Sequence, residues 1–269
     1  MLVTPAAGTL ERWAWDYLGA AEVSRKFELS LPPRELETAP ASRRALRPMR
    51  PAGLVRAVTR TKTPRRDALR TPQRRAQLVH TFLHHELQAA ELMCWAILAY
   101  PQTPSSFRRG LAKVARDEIR HMCMYRDYLA SLGFAYGDFP VRDWFWDRVP
   151  AAETPAQFVA TMGVGFEGGN LDHAVRFAER FRDAGDERGA ELQTTIFEEE
   201  IPHVRFALRW FRVWTGAADF ATWREHLPAP LSPMVMRGKP IEREGRMRSG
   251  LSARFVEELA AWQCRESGI

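Results

Sequence analysis

A short pattern occurs twice in this chain, at a spacing of 82 residues. Glu118-Ile-Arg-His121 and Glu200-Ile-Pro-His203 each place a glutamate three residues before a histidine. On a helix, residues at this offset project from the same face. The repeat therefore predicts two helices that each present one carboxylate and one imidazole together.

A further glutamate precedes each pair at nearly the same distance. Glu86 lies 32 residues before Glu118, and Glu167 lies 33 residues before Glu200, which indicates one helical hairpin used twice. Four carboxylates and two imidazoles directed into a four-helix bundle are the ligand set of a carboxylate-bridged pair of iron or manganese ions. We expect two iron ions (Fe2+/Fe3+), with manganese or a mixed Mn/Fe pair as the alternative. The predicted ligands are Glu86, Glu118, His121, Glu167, Glu200 and His203.

Apolar residues recur every three or four positions from residue 73 onward, as expected of packed helices. Proline and glycine mark the helix ends, and the irregular segment 133–154 is typical of a long crossover. We therefore predict an all-α four-helix bundle at 76–216, preceded by an N-terminal segment with a basic arm (1–75) and followed by a tail with a short helix (217–269). The predicted helices run from about 73 to before Pro101, then over 107–132, 155–182, 187–215 and 252–262.

The turns near residues 103 and 185 allow the heights of the glutamates to be compared. Glu86 lies 17 residues before its turn and Glu118 lies 15 after it, while Glu167 and Glu200 lie 18 before and 15 after theirs. Residues equidistant from the turn of an antiparallel hairpin lie at the same height, so the four glutamates share one layer. Glu91 lies 12 residues from its turn and misses that layer. Glu86 is therefore the better ligand.

Three further residues adjoin the predicted ligands. Asp117 and Glu199 each immediately precede a ligand glutamate, where Asp117 could accept a hydrogen bond from His203 and Glu199 from His121. The alternative is a solvated acidic face. Tyr125 follows His121 by four residues and lies near enough for a redox role, but core packing is the commoner role of an aromatic residue at helical spacing.

The residues beside two of the predicted ligands, Glu167 and Glu200, have low helix propensity. Pro202 lies inside the second Glu-x-x-His pattern, where it removes an intrahelical hydrogen bond. Such departures beside ligands usually serve function. We expect room for a substrate or O2 beside the metals, at Gly163, Gly168 and Gly169, in preference to tight helix packing. The glycines that flank Glu167 are Gly163, Gly165, Gly168 and Gly169.

Residues 43–75 form a basic arm, with twelve Lys and Arg against the single acid Asp67. The segment carries 12 − 1 = +11, so the remainder of the chain carries 6 − 11 = −5. Its prolines exclude a long regular helix and predict an extended arm. RNA or an acidic protein is one partner for such a charge. Because interleaved aromatics are lacking, an arm laid on its own acidic chain is the favoured interpretation.

The remaining composition favours a soluble, cytoplasmic protein. No stretch of 18 apolar residues occurs, the start lacks a signal-peptide pattern, and three cysteines without C-x-x-C spacing are typical of reduced thiols. His80 and His84, with Glu91 further along, suggest a separate zinc pair. No third ligand follows at zinc spacing, so structural histidines bonded to the arm are favoured.

Six strings of this sequence together resemble one bacterial ferritin-like family that is catalogued as a domain of unknown function. The resemblance covers about residues 50–250 and implies a ferritin-like di-metal bundle with the six ligands given above. Pro202 departs from the small residue expected at its position, and the family label supplies no substrate. The strings are His80-Thr-Phe-Leu-His-His-Glu-Leu-Gln-Ala-Ala-Glu-Leu92, Asp117-Glu-Ile-Arg-His121, Tyr136-Gly-Asp138, Phe166-Glu-Gly-Gly-Asn-Leu-Asp172, Glu199-Glu-Ile-Pro-His-Val204 and Arg246-Met-Arg-Ser-Gly250.

Three functions follow from these expectations. The first is a non-haem di-iron oxidoreductase that uses O2 to hydroxylate, desaturate or otherwise oxidise a small-molecule or peptide substrate, with an electron donor. The second is a ferroxidase, a peroxide scavenger or a metal-handling protein. The third is an RNA-binding or RNA-modifying module with a metal site. We expect no membrane partner, and a homodimer remains an open alternative.

Overall fold

The computed structural model describes residues 2–51, 53–57 and 69–263. Within these ranges the protein is helical and contains no strand, only an isolated β-bridge between Arg56 and Val141. None of the described helices combines the length and apolar character needed to cross a membrane. The chain forms two compact units, residues 1–150 and 151–269. The prediction of an all-α protein is confirmed, and each unit joins one predicted hairpin to the segment that flanks it.

The first unit contains a long helical hairpin. Thr71 and Pro72 begin α3, since proline fits the first turn of a helix, where its missing N–H is not needed. Gly133, at φ +84°, follows the end of α4 and terminates it. Helix α1 packs on α3. The helices are α1 (Leu10–Gly19), α2 (Val23–Lys26), α3 (Pro72–Ala99) and α4 (Ser105–Ser131).

The second unit contains the other hairpin and a tail of short helices. Helix α7 spans the predicted range of 187–215 and ends at Gly216, at φ +76°. The sequence periodicity did not reveal the shorter elements α8 and α9. The elements are α5 (Pro155–Phe158), a π-helix (Val159–Glu167), α6 (Gly168–Asp183), α7 (Glu187–Thr215), α8 (Phe220–Glu225), a 3-10 turn (Pro233–Met236), α9 (Arg243–Arg248) and α10 (Ala253–Ala261).

The π-helix interrupts what the sequence predicted as one helix over 155–182. The three pieces cover that range, but the central nine residues follow π geometry, and Glu167 is the last of them. A π-helix winds less tightly than an α-helix and is frequently found at functional sites. Its glycines lower the cost of this departure, because an α-helix gains least from glycine.

The described part of the basic arm binds within the first unit. Arg43 forms an ion pair with Glu37, and the Arg44 guanidinium lies over the rings of Trp95 and Tyr100. Arg50 forms ion pairs with Glu91 and Asp143 in the interior of the same unit. These contacts support an arm that packs on its own chain. Residues 58–68 of the arm lie outside the described residues.

Candidate metal centre

Three of the predicted ligands form a buried cluster in the first unit. Glu86 lies on α3, and Glu118 and His121 lie one turn apart on α4. Their potential ligand atoms all lie within 4.8 Å of one another. Glu118 and His121 are fully buried, with 3.3 Å between His121 Nδ1 and Glu118 Oε2. The hairpin therefore brings these three residues together as predicted.

The second unit contains the other three predicted ligands and repeats the Glu-x-x-His geometry of the first. Glu200 and His203 lie one turn apart on α7, and Glu167 ends the π-helix of the same unit. The distance between His203 Nδ1 and Glu200 Oε2 is 3.1 Å, close to the value in the first unit. All three side chains are buried. Pro202 lies inside α7 without interrupting it, so the Glu-x-x-His geometry is kept.

The chemistry of these donors suits divalent metal ions. Each unit buries two of the predicted glutamates and one of the predicted histidines, which together carry a charge of −2 when the imidazole is neutral. Buried carboxylates are normally paired or bound to metal, because an isolated buried charge is costly. Imidazole nitrogen together with carboxylate oxygen suits first-row transition metals such as iron and manganese. Each triad therefore matches the charge of one divalent cation.

Asn170 is a residue of this region that the sequence analysis did not single out. Its Nδ2 donates a hydrogen bond to Glu200 Oε1 over 3.1 Å, and so fixes that carboxylate. Asn170 lies three residues after Glu167, at the same offset that defines the Glu-x-x-His pattern. That spacing could have identified it.

Asp117, Glu199 and Tyr125 are the residues that were predicted to lie beside the ligands. Asp117 is half-buried, with 4.0 Å to the Arg120 guanidinium. Tyr125 is buried and packs on Phe82, with 5.9 Å between ring centroids, as the favoured packing role requires. Glu199 is half-buried. The proposed hydrogen bonds of Asp117 and Glu199 to histidines of the opposite repeat stay predictions.

The glycines around Glu167 require a correction. A Cβ added at Gly163 would overlap the Ala207 Cβ, and one added at Gly168 would lie 3.2 Å from Arg246 Nη1. At Gly169 it would lie 3.2 Å from the Met236 carbonyl oxygen. Neighbouring atoms already fill the space that we expected to remain open. These glycines permit close packing, the alternative that the sequence analysis did not favour.

We expect Gly163→Ala to destabilise the protein by about 3 kcal/mol, at the upper end of overpacking costs. Its methyl group must displace Ala207 on α7, since both residues lie in a packed interior. The double variant Gly163→Ala/Ala207→Gly should recover part of the loss, because the clashing methyl is removed. Denaturant titrations measure both effects.

Gly19→Ala provides the control, because an added Cβ there meets no atom within 4 Å and the residue ends α1. Its stability should be equal to that of the wild type or higher by up to about 1 kcal/mol. A Gly163→Ala variant as stable as Gly19→Ala would contradict the close packing described here.

His80 and His84 are structural, although their partners differ from the expected ones. The backbone N–H of Gly137 donates to His80 Nε2 over 2.9 Å. His84 Nδ1 lies 2.7 Å from the Tyr136 hydroxyl, and its Nε2 lies 3.2 Å from Asp143 Oδ1. These partners belong to the crossover 133–154, and not to the basic arm. Both histidines therefore anchor the crossover to α3.

The pH dependence of stability should report on His80. Burial lowers its pKa to about 4, with His84 adding to the effect and Asp138 opposing it. In the unfolded chain the pKa is about 6.5, so the contribution is complete above that pH and falls as the pH drops toward 4. Between pH 7 and pH 4.5 the unfolding free energy should fall by about 2 kcal/mol from this group.

His80→Gln isolates that contribution, because glutamine does not titrate. We expect the variant to be less stable than the wild type at pH 7 and to show a smaller decline toward pH 4.5, as measured by urea unfolding at both values. Equal declines in the two proteins would show that His80 titrates normally in the folded state.

Comparison with known proteins places the chain in a family. A protein of Haemophilus influenzae, described as uncharacterized, is 24% identical over 144 residues. The match spans 51% of this chain and 50% of that protein. No solved structure matches the chain. Residues 14–257 match the family described as Protein of unknown function (DUF455), and the chain therefore belongs to that family.

Proposed function

We propose that the two hairpins form a ferritin-like four-helix bundle whose interior holds two iron ions, and that the protein is an O2-dependent oxidoreductase. The observation that carries this proposal is the buried cluster of Glu86, Glu118 and His121, with ligand atoms within 4.8 Å of one another. The second unit repeats its composition. Di-iron bundles use the same set, a glutamate from each of two helices and a Glu-x-x-His pair from each of the other two.

Iron is the metal that best combines this donor set with redox chemistry. Two carboxylates and one imidazole from each unit would balance two divalent cations, and nitrogen donors favour iron over magnesium or calcium. Manganese, or one ion of each kind, is the alternative. Ferrous ions bound here would supply the electrons for O2 activation, chemistry that amino-acid side chains lack.

The chain's own residues would orient the ligands and keep water away. The imidazole of His121 is held beside Glu118, and Asn170 fixes one oxygen of Glu200. The surrounding helices bury these groups almost completely. Groups outside the ligand set typically change metal affinity by about 10–100-fold. Oxidation of a small-molecule or peptide substrate would also need an electron donor.

A second candidate function is favoured by the packing of the glycines. Because Ala207, Arg246 and Met236 occupy the space beside Gly163, Gly168 and Gly169, the opening expected for an organic substrate is absent at these positions. A ferroxidase, peroxide scavenger or metal-handling protein needs only the ligands. An RNA-binding module receives less support, since the described arginines Arg43, Arg44 and Arg50 are engaged by the chain itself.

Anaerobic loading followed by exposure to O2 tests both candidates. Purified metal-free protein is loaded with Fe2+, bound iron is counted, and O2 consumption is followed with the optical spectrum. An oxidoreductase should consume additional O2 when a substrate and an electron donor are supplied. A ferroxidase should consume O2 only in proportion to the iron added. Failure to bind two iron ions per chain would refute the proposed centre.

A further inference from the structure

Residues 236–246, which we call the tail strap, lie directly against the turn that carries Glu167. A Cβ on Gly165 would lie 2.6 Å from Met236 Sδ, and one on Gly168 would lie 3.2 Å from Arg246 Nη1. The Met236 carbonyl oxygen approaches Gly169 in the same way. Three glycines within five residues thus admit three atoms of the strap. Any side chain at these positions would push it away.

The strap is fixed to α6 by one carboxylate. Asp172 accepts hydrogen bonds from Arg246 Nε over 2.9 Å and from Arg246 Nη2 over 2.8 Å. The same carboxylate accepts from the backbone N–H of Gly238 at 2.6 Å and of Glu242 at 2.8 Å. Arg246 Nη2 also donates to the Met236 carbonyl. Asp172 therefore organises both ends of the strap.

Stability alone does not account for this buried ion pair. Both side chains are fully buried, and replacing such a pair by apolar residues often leaves stability unchanged or raises it. Arg246 Nη1 also has no hydrogen-bond partner among the described residues, which adds a desolvation cost. What the pair provides is geometry, since a bidentate arginine–carboxylate contact allows little rotation.

We propose that Asp172 and Arg246 are positioning residues that, through the tail strap, hold the π-helical turn and thereby the carboxylate of Glu167, an inference that rests on the proposed metal centre. A π-helix is less favourable than an α-helix and persists where its surroundings enforce it. Relaxation toward α-helical geometry would rotate Glu167 about the helix axis. The strap contacts Gly165 and Gly168, on either side of Glu167, and opposes that rotation.

Hydrogen exchange of the metal-free full chain tests the strap independently of any metal. Asp172→Asn/Arg246→Met removes both charges and the guanidinium while it leaves an oxygen acceptor at residue 172. We expect amides of residues 159–169 to exchange at least about 10-fold faster, with the melting temperature changed by only a few degrees. Arg246→Lys, which keeps the charge but loses the bidentate contact, should give an intermediate rate. Unchanged exchange at 159–169 in the double variant would overturn the proposal.

Matched variants complete the test. Arg243→Gln/Glu257→Gln removes an exposed ion pair from the same tail and should leave exchange at residues 159–169 unchanged. If the Asp172→Asn/Arg246→Met variant does not fold, Gly238→Ala displaces the strap from α6 while it keeps both charges, because its Cβ would lie 2.6 Å from the Asp172 Cβ. Its exchange at residues 159–169 should rise in the same way, and an unchanged rate would again overturn the proposal.

Titration with Fe2+ then tests whether the tail strap positions the Glu167 carboxylate for metal binding. We expect the more weakly bound ion to lose about 10–100-fold in affinity in the Asp172→Asn/Arg246→Met variant, with no change in the exposed-pair control. Faster exchange with unaltered metal affinity would show a structural strap and refute the positioning role. If the wild-type protein binds no iron, the proposed centre fails, while the exchange result still decides whether the strap holds the π-helix.

Discussion

Replacing His121 by alanine should reduce bound iron from two ions per chain to one or fewer. The imidazole is fully buried beside Glu118, so no solvent-exposed group can take its place without rearrangement. Loss of an outer partner of a ligand already costs about 10–100-fold in affinity, and loss of a ligand should cost more. Iron is counted by elemental analysis after anaerobic loading and desalting. His203→Ala should give a comparable loss, because the two repeats present the same pair.

His226→Ala is the control for this experiment. His226 follows α8, and its Nδ1 lies 2.8 Å from the Thr222 carbonyl oxygen, away from every predicted ligand in the sequence. The His226→Ala variant also loses one imidazole group, but we expect it to retain two iron ions. Circular dichroism should show that all three variants keep their helices. A folded His121→Ala protein that still binds two iron ions would contradict the ligand assignment.

The long helices and the grouping of Glu86, Glu118 and His121 could be predicted from the sequence, because both depend on local spacing. Apolar periodicity located α3, α4 and α7 to within two residues or so, and glycine or proline marked their ends. The Glu-x-x-His offset placed His121 beside Glu118, since three residues on a helix span about one turn. Glu86 could be chosen by its distance from the turn.

The surroundings of Glu167 could not be predicted, because they depend on contacts distant in sequence. Arg246 lies 74 residues from Asp172, and no periodic pattern in the sequence indicates that these two residues pair. The glycines were interpreted as open space, since a missing side chain creates room unless another segment fills it. Here the tail strap and Ala207 fill it. The π-helix escaped prediction for a related reason, because its residues have the same apolar spacing as a helix of ordinary pitch.

Charge pairing distinguishes Glu91 from Glu86, although both glutamates lie on α3. Glu91 is fully buried, forms an ion pair with Lys26 Nζ at 3.0 Å, and accepts hydrogen bonds from Trp146 Nε1 over 2.9 Å and from Arg50 Nη1. Glu86, five residues earlier, instead clusters with a glutamate and a histidine. Two cations hold the first carboxylate in place, so it has no need of a metal ion.

Glu91→Leu should therefore lower the unfolding free energy by about 3–5 kcal/mol, the usual cost of removing one partner of a buried ion pair. Both Lys26 and Arg50 would stay in the interior without their shared anion. Denaturant unfolding of the metal-free protein measures the loss. Asp16→Ala removes the partner of Arg12 at the surface, where we expect a change below about 1 kcal/mol. A Glu91→Leu variant that loses no more stability than Asp16→Ala would contradict this account of the buried cluster.

Glu86→Gln and Glu91→Gln test the different roles of these two glutamates with the same substitution at both positions. Glu86→Gln should lose iron while the metal-free protein keeps its stability, because a buried carboxylate next to Glu118 is removed. Glu91→Gln should keep two iron ions and lose stability, because Lys26 and Arg50 lose the carboxylate that they share, although Arg50 still pairs with Asp143. The two outcomes are opposite on both measurements, although the residues lie on one helix less than two turns apart. The reverse pattern would make Glu91 the ligand and would remove Glu86 from the metal centre.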